Sequence, residues 1–262
     1  MAVEIFPRGG EWGLKLTVLG ASGTYPRPGG ACSGYLVRQG STVLVMDLGN
    51  GCLSRLQEVA DITRLGGVVV SHLHVDHFGD IYPLYYALRF HPERPWGLRL
   101  LLPPGGQELL GSLLGEEGRR YLGKVFSFQE LREGEEYRFG SVAVRAFPAR
   151  HPVSGFCLRL QAGGRTLAYS GDTAPCPGVW EAAREADLFL CEATLPGEYE
   201  EQAAHGHLTA PQAGRLAAEA GARRLIITHV WPTFEVDALL REARWAFGGE
   251  TLAAREGEEY EV

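Results

Sequence analysis

Short apolar runs, each closed by a glycine or a polar residue, recur along the chain. LKLTVLG (14–20), SGYLVR (33–38), TVLVMDLG (42–49) and GGVVVSH (66–72) come first. GLRLLL (97–102), VAVRAFPA (142–149), GFCLRLQ (155–161), TLAYSGD (166–172), DLFLCEA (187–193) and RLIITHV (224–230) follow. Several are continuous and β-branched, the pattern of strands covered on both faces. Helical stretches are read at 51–60, 77–90, 209–222 and 235–248. The third opens on Thr209 as a cap with Pro211 in its first turn, and the fourth closes on Gly248. Hairpins come first and strand–helix units are mixed among them, which predicts an α/β fold with a mixed sheet rather than a regular βαβ array. No low-complexity linker or compositional break divides the chain, so residues 1–262 are read as a single domain.

With 262 residues, 45% of them hydrophobic, the chain can bury a sizeable core. Its formal net charge is -7, its only lysines are Lys15 and Lys124, and no basic run occurs. Such a chain is poorly suited to broad nucleic-acid binding, where phosphate contacts supply most of the affinity. The five cysteines are scattered without a CxxC spacing, which argues against a disulfide framework and against a thiolate zinc site. They read as buried free thiols. The N-terminal stretch MAVEIFPRGGEWG lacks the apolar run of a signal peptide, and no segment is apolar over the ~20 residues that span a bilayer. A soluble cytoplasmic protein without membrane contact is therefore expected. GASG (20–23) lacks the full GxGxxG spacing and leads into TYPRPGG rather than a helix, so it does not mark a dinucleotide site.

One stretch changes the picture. SHLHVDHFGD (71–80) places His72, His74, Asp76 and His77 within six positions, directly after an apolar strand. Imidazole and carboxylate groups bury poorly unless something pairs with them, and a metal ion does so. His72 and His74, two apart in extended backbone, point the same way and can share one ion. Asp76 and His77, at the turn into a helix, can address a second ion beside the first. More ligands should then sit at other strand ends. His151 follows VAVRAFPAR, Asp172 ends TLAYSGD, and His229 ends LIITH.

In order and approximate spacing, SHLHVDH, His151, SGDT and ITH resemble the metallo-β-lactamase superfamily over nearly the whole chain. The resemblance implies an αββα sandwich, two mixed β-sheets flanked by helices, with the site at one edge. It also implies two divalent metal ions, zinc or manganese. His72, His74 and His151 would hold one ion, Asp76, His77 and His229 the other, and Asp172 would bridge them. A hydroxide activated by the ions would be the nucleophile.

The full ligand set disfavours the true β-lactamases, and His74 in place of an acid disfavours the flavo-di-iron proteins. The opening VLGASGTYPRPGGACSGYLV, the segment GDTAPCPGVWEAAREADLFLCEATL and the segment HGHLTAPQAGRLAAEAGARRLIITH are similar to tRNase Z and its phosphodiesterase relatives. That similarity puts His207 at the position of a proton donor to the leaving oxygen, so Asp76 and His207 are the candidate catalytic residues, Asp76 doubling as a ligand. His205 and His91 read as loop residues. Most tRNase Z enzymes insert a long basic arm between the third metal histidine and the bridging aspartate. Here only twenty residues separate His151 from Asp172. The expected function is thus a binuclear metal-dependent hydrolase acting on a small or cyclic phosphodiester. A tRNase Z-type endoribonuclease, or an ester or lactone hydrolase at the same metals, is the alternative. Relatives are often homodimers, which makes a homodimer the candidate assembly. Arg27, Arg89 and Arg150 are candidate phosphate contacts. The aromatic segment IYPLYYALRFHPERPWG reads either as a pocket wall or as a core-facing helix with its loop.

Overall fold

A computed structural model describes residues 13–262. The N-terminal stretch judged to lack a leader lies almost wholly outside the described residues. Among them, two seven-stranded sheets pack face to face. The first contains β1 (Lys15–Gly20), β2 (Gly34–Gln39), β3 (Thr42–Leu48), β4 (Gly67–Val69), β5 (Leu98–Leu102) and β6 (Phe126–Glu130). The second contains β7 (Glu136–Phe139), β8 (Val142–Pro148), β9 (Phe156–Ala162), β10 (Arg165–Tyr169), β11 (Leu188–Glu192), β12 (Arg224–Thr228) and β13 (Glu250–Ala253). The last strand, β14 (Glu259–Glu261), returns to the first sheet and pairs antiparallel with β1. The orders are β14-β1-β2-β3-β4-β5-β6 and β13-β12-β11-β10-β9-β8-β7. In each sheet an antiparallel half passes into a parallel half, at β3–β4 in the first and β10–β11 in the second.

The strand pattern explains the layers. In β3, Leu44 and Met46 enter the core between the sheets, while Val43 and Val45 enter the core under the outer helices. That outer core is completed by α1 (Cys52–Val59), α3 (Ile81–Phe90) and α5 (Glu116–Val125). On the far side, α6 (Pro177–Ala183), α8 (Ala210–Glu219) and α9 (Val236–Phe247) cover the second sheet with small side chains such as Ala182, Ala213 and Ala243. This is the expected αββα sandwich.

Two details depart from the sequence reading, and one decides between its alternatives. The stretch 77–90 is not one helix. A short α2 (Val75–Phe78) ends at Gly79, and α3 starts anew after Asp80. The break is local chemistry: the Asp80 carboxylate accepts the Leu53 N–H at 2.8 Å, and a Cβ on Gly79 would meet the Asn50 side chain at 2.6 Å. Within α3, Ile81, Leu84, Tyr85 and Leu88 face the core and Tyr86 and Phe90 face outward, which is the core-facing alternative. Finally, α4 (Gly106–Ser112), α5, β6, β7, β13 and β14 carry too few apolar residues to stand out in the sequence.

Candidate metal centre

The site forms where the two sheets meet at one edge. From the first sheet, β4 runs into Ser71 and His72, and His72 bridges antiparallel to Gly155 of the second sheet. His74 is the cap residue of α2, which carries Asp76 and His77. From the second sheet come His151 after β8, Asp172 after β10 and His229 after β12. A Cβ on Gly49 would lie 1.9 Å from the Asp76 carbonyl oxygen, so only glycine lets the end of β3 pass beneath this helix.

All seven predicted side chains converge, together with His207. His72, His74, His151 and Asp172 form one group whose donor atoms lie within 4.8 Å of one another. Asp76, His77 and His229 form a second, and Asp172, His207 and His229 a third. Asp172 touches both main groups, with Oδ2 3.6 Å from His72 Nε2 and 3.3 Å from His229 Nε2, and Oδ1 3.3 Å from His77 Nε2. Nε2 of His72, Nε2 of His77 and Oδ1 of Asp172 are buried without a hydrogen-bond partner. His74 Nδ1 and His151 Nε2 face each other at 3.0 Å. Buried lone pairs converging in this way suit cations.

The charges agree. Burial, and then neighbouring histidines, push His72 and His74 down towards the neutral form that binds metal. Burial likewise lowers His151, against the pull of Asp172. Asp172 is buried, which raises its carboxyl, yet His229, His77 and His72 outweigh this and hold it well below the ordinary range. His77 is also opposed by burial, but Asp172 and Asp47 raise it well above an ordinary histidine. To hold a cation through Nε2, His77 must present that nitrogen without a proton.

A ring of partners that the sequence reading missed fixes these side chains. Buried Asp47 accepts from Ser71 N at 2.6 Å, and from Ser71 Oγ, Tyr169 Oη and His77 Nδ1 at 2.7 Å each. Its φ of 53° breaks the alternation of β3, sending Leu48 to the outer core and the carboxylate towards the site. The His77 tautomer is thereby set with Nε2 facing inward. His151 Nδ1 donates to Gly206 O at 2.8 Å to the same effect. Buried Glu192 accepts from Thr173 N, Leu208 N and Thr194 Oγ1, and Thr194 Oγ1 accepts from His229 Nδ1 at 2.9 Å. Asp47→Asn is expected to weaken metal binding by about 10- to 100-fold without removing a ligand. A chelator-competition titration measures it; unchanged affinity would mean that the carboxylate serves packing alone.

His207 is half-buried, its ring stacked on that of His229 at 5.8 Å and its Nδ1 3.3 Å from Glu192 Oε2. Burial alone would lower it, but Glu192 raises it to about 9. Trp231 packs edge-on to His207 and stacks with Phe234. Arg27 donates to the carbonyls of both Trp231 and Phe234, so its guanidinium holds this aromatic wall. Arg89 pairs with Glu117, and Arg150 donates to Ala204 O. His205 is exposed, and His91 caps the end of α3.

A family model described as a beta-lactamase superfamily domain matches residues 44–230. The chain belongs to this superfamily. The probable metallo-hydrolase YhfI of Bacillus subtilis is 31% identical over 262 residues, covering 93% of this chain and 98% of that protein. The crystal structure of YhfI, a metallo-beta-lactamase fold protein, superposes with a TM-score of 0.86 at 28% identity, covering 96% and 100% of the two chains. A ribonuclease Z of Haloferax volcanii is 29% identical over 303 residues, covering 95% of each. As a superfamily member with clustered His and Asp donors, the chain is a metallo-hydrolase related to YhfI and ribonuclease Z. No helix among the described residues is long and apolar enough to cross a membrane.

Proposed function

We propose that the site holds two divalent cations, zinc or manganese, and hydrolyses a small or cyclic phosphodiester. His72, His74 and His151 hold one ion, Asp76, His77 and His229 the other, and Asp172 lies between. Two such ions, when bound, activate water and neutralise phosphate charge. The chain's own residues do the rest. Asp76, whose Oδ2 accepts the Thr24 N–H at 2.7 Å and lies 3.3 Å from His229 Nε2, orients the attacking water. His207, with Nδ1 turned to Glu192, delivers a proton from Nε2 to the departing oxygen.

The observation that carries the reading is His207 itself. It is surplus to the seven ligands, charged by Glu192 and set against the site. The preference for a small diester rests on a second feature. Between His151 and Asp172 the chain forms only the hairpin β9–β10, turned at Gly163 and Gly164. The ribonuclease Z alignment spans 303 positions against the 262 residues present here, so that relative carries insertions this chain lacks. A cytoplasmic setting fits this reading, and the outward-facing, stacked Tyr86 and Phe90 offer an apolar face to a homodimer.

Elemental analysis of protein reconstituted with excess metal should give about two ions per chain. In a paired assay, bis-p-nitrophenyl phosphate and cyclic phosphodiesters should be cleaved in preference to p-nitrophenyl acetate and acyl lactones, and a pre-tRNA 3′ trailer only weakly. One ion or none sinks the binuclear site. Efficient trailer cleavage at ordinary salt returns the function to the endoribonuclease alternative, and faster ester or lactone cleavage to the other.

A further inference from the structure

The segment that carries the Trp231–Phe234 wall is flanked by Val230 and Val236, and both line a cavity of about 310 Å³. Ala254, just after β13, adds to its apolar side. That size, with a mainly apolar lining and a few polar groups, is usual for a small-molecule pocket. The polar side chains here are Ser22, Arg27, Thr228, Arg255 and Glu256. Two of them are already engaged. Glu256 Oε1 accepts the Ala31 N–H at 2.9 Å, and Oε2 pairs with Arg55 Nη1 at 2.6 Å. Thr228 Oγ1 bonds to Tyr35 Oη at 2.7 Å. The other three hold spare donors. Ser22, only 2% exposed, accepts the Arg27 N–H at 3.3 Å, and its own hydroxyl hydrogen has no acceptor among the described residues. The Arg27 side chain donates through Nη2 alone, so the N–H groups of Nε and Nη1 have no acceptor among the described residues. Arg255 is exposed and forms no ion pair among the described residues.

With Glu256 paired to Arg55, the charge left over in the cavity is that of two guanidiniums. An anion with an apolar body is the complement of such a space. The cavity is also reachable. The turn Arg27–Pro28–Gly29–Gly30, closed by Gly30 N to Arg27 O at 2.7 Å, lies on its edge, and Gly29 there faces open space. Arg27 connects the cavity to the metal centre. Its Nη2 holds the carbonyls of Trp231 and Phe234 at 3.2 and 2.9 Å, and Trp231 packs on His207.

We propose that this cavity binds a small organic anion, an acidic group on an apolar body, and that the bound anion steadies the Trp231–Phe234 wall. The acidic group takes the spare N–H groups of Arg27 and Arg255 and the Ser22 hydroxyl, in charge-assisted hydrogen bonds. The apolar body lies against Val230, Val236 and Ala254. Arg27 then holds the wall through one nitrogen and the ligand through the others, so the ligand immobilises the guanidinium that fixes the wall. The anion takes no part in the hydrolysis, and the site stands whichever substrate the metal centre cleaves.

The test uses the metal-loaded protein and benzenesulfonate, an apolar ring with an anionic group that coordinates metals poorly, followed by titration calorimetry. One site per chain should saturate, and the neutral methyl phenyl sulfone should not bind. Benzoate or phenyl phosphate should displace the probe, and the stronger competitor identifies the preferred acidic group; displacement by neither overturns the site. Arg255→Ala should weaken binding by about tenfold or more, the worth of a hydrogen bond to a charged group. Val236→Phe, which fills the cavity, should abolish it. The Phe234 N–H donates to Trp231 O at 2.9 Å, so its hydrogen exchange, read by mass spectrometry, reports on the wall and should slow severalfold with ligand bound. No saturable binding, or binding that survives both variants, overturns the site. Binding lost when a chelator removes the metal puts the anion on the metal centre and overturns it equally. Binding that leaves Phe234 exchange unchanged overturns the coupling to the wall.

Discussion

Asp172→Ala should cost the site its second metal ion. The carboxylate is buried, lies 3.3 to 3.6 Å from nitrogens of His72, His77 and His229, and is the contact common to both groups of ligands. Two divalent cations about 4 Å apart repel each other four times as strongly as unit charges, which is about 4 kcal/mol even with the screening of bulk water. Removing the anion between them leaves that repulsion unopposed, so the second ion should bind roughly 10³-fold more weakly. Elemental analysis after gel filtration should show no more than one ion per chain and turnover should vanish, while circular dichroism stays that of the folded protein. Retention of two ions would show that Asp172 does not bridge them.

His207→Ala should do the opposite: keep both ions and the fold, and slow the chemistry. Loss of a general acid costs roughly 10²–10⁴ in kcat where the leaving group is an alkoxide. With p-nitrophenolate, which departs without a proton, the deficit should shrink towards unity. The contrast between the two leaving groups is the measurement, because a residue that only bound substrate would slow both alike. Equal losses would reassign His207 to binding. Glu192→Gln should follow the same pattern more weakly, since Glu192 is the group that keeps His207 charged.

The proposed ligands were legible because metal chemistry demands residue types that strand ends seldom offer. His72 to His77 crowd after GGVVV, and His151, Asp172 and His229 each close an apolar run. Asp47 closes such a run too, in TVLVMDLG, and Glu192 in DLFLCEA, yet neither was singled out. A lone acid at a strand end is ambiguous until its partners are known. Those of Asp47 are Ser71 and His77, 24 and 30 residues on, and Tyr169, 122 residues on, brought together only by the packing of the two sheets. The strands β13 and β14 were illegible for a different reason. ETLA and EYE are short and polar, and their pairing with β12 and β1 comes from tertiary contact rather than propensity.

The origin of the ligands has a thermodynamic consequence. His72, His74, Asp76 and His77 arrive from the first sheet, and His151, Asp172 and His229 from the second, across a seam otherwise closed by apolar contact and a few hydrogen bonds such as Tyr35 to Thr228. With the proposed ions bound, loading and the docking of the two halves share one equilibrium. Free metal at a thousand times its dissociation constant adds about 4 kcal/mol per site to the folded state. Linkage is reciprocal, so a void opened deep in the inter-sheet core, at Leu158 or Leu190, would weaken apparent metal binding once it left the metal-free fold partly unfolded, although neither residue touches the site. The melting temperature of this protein should accordingly track the metal supply of its surroundings, even when no substrate is present.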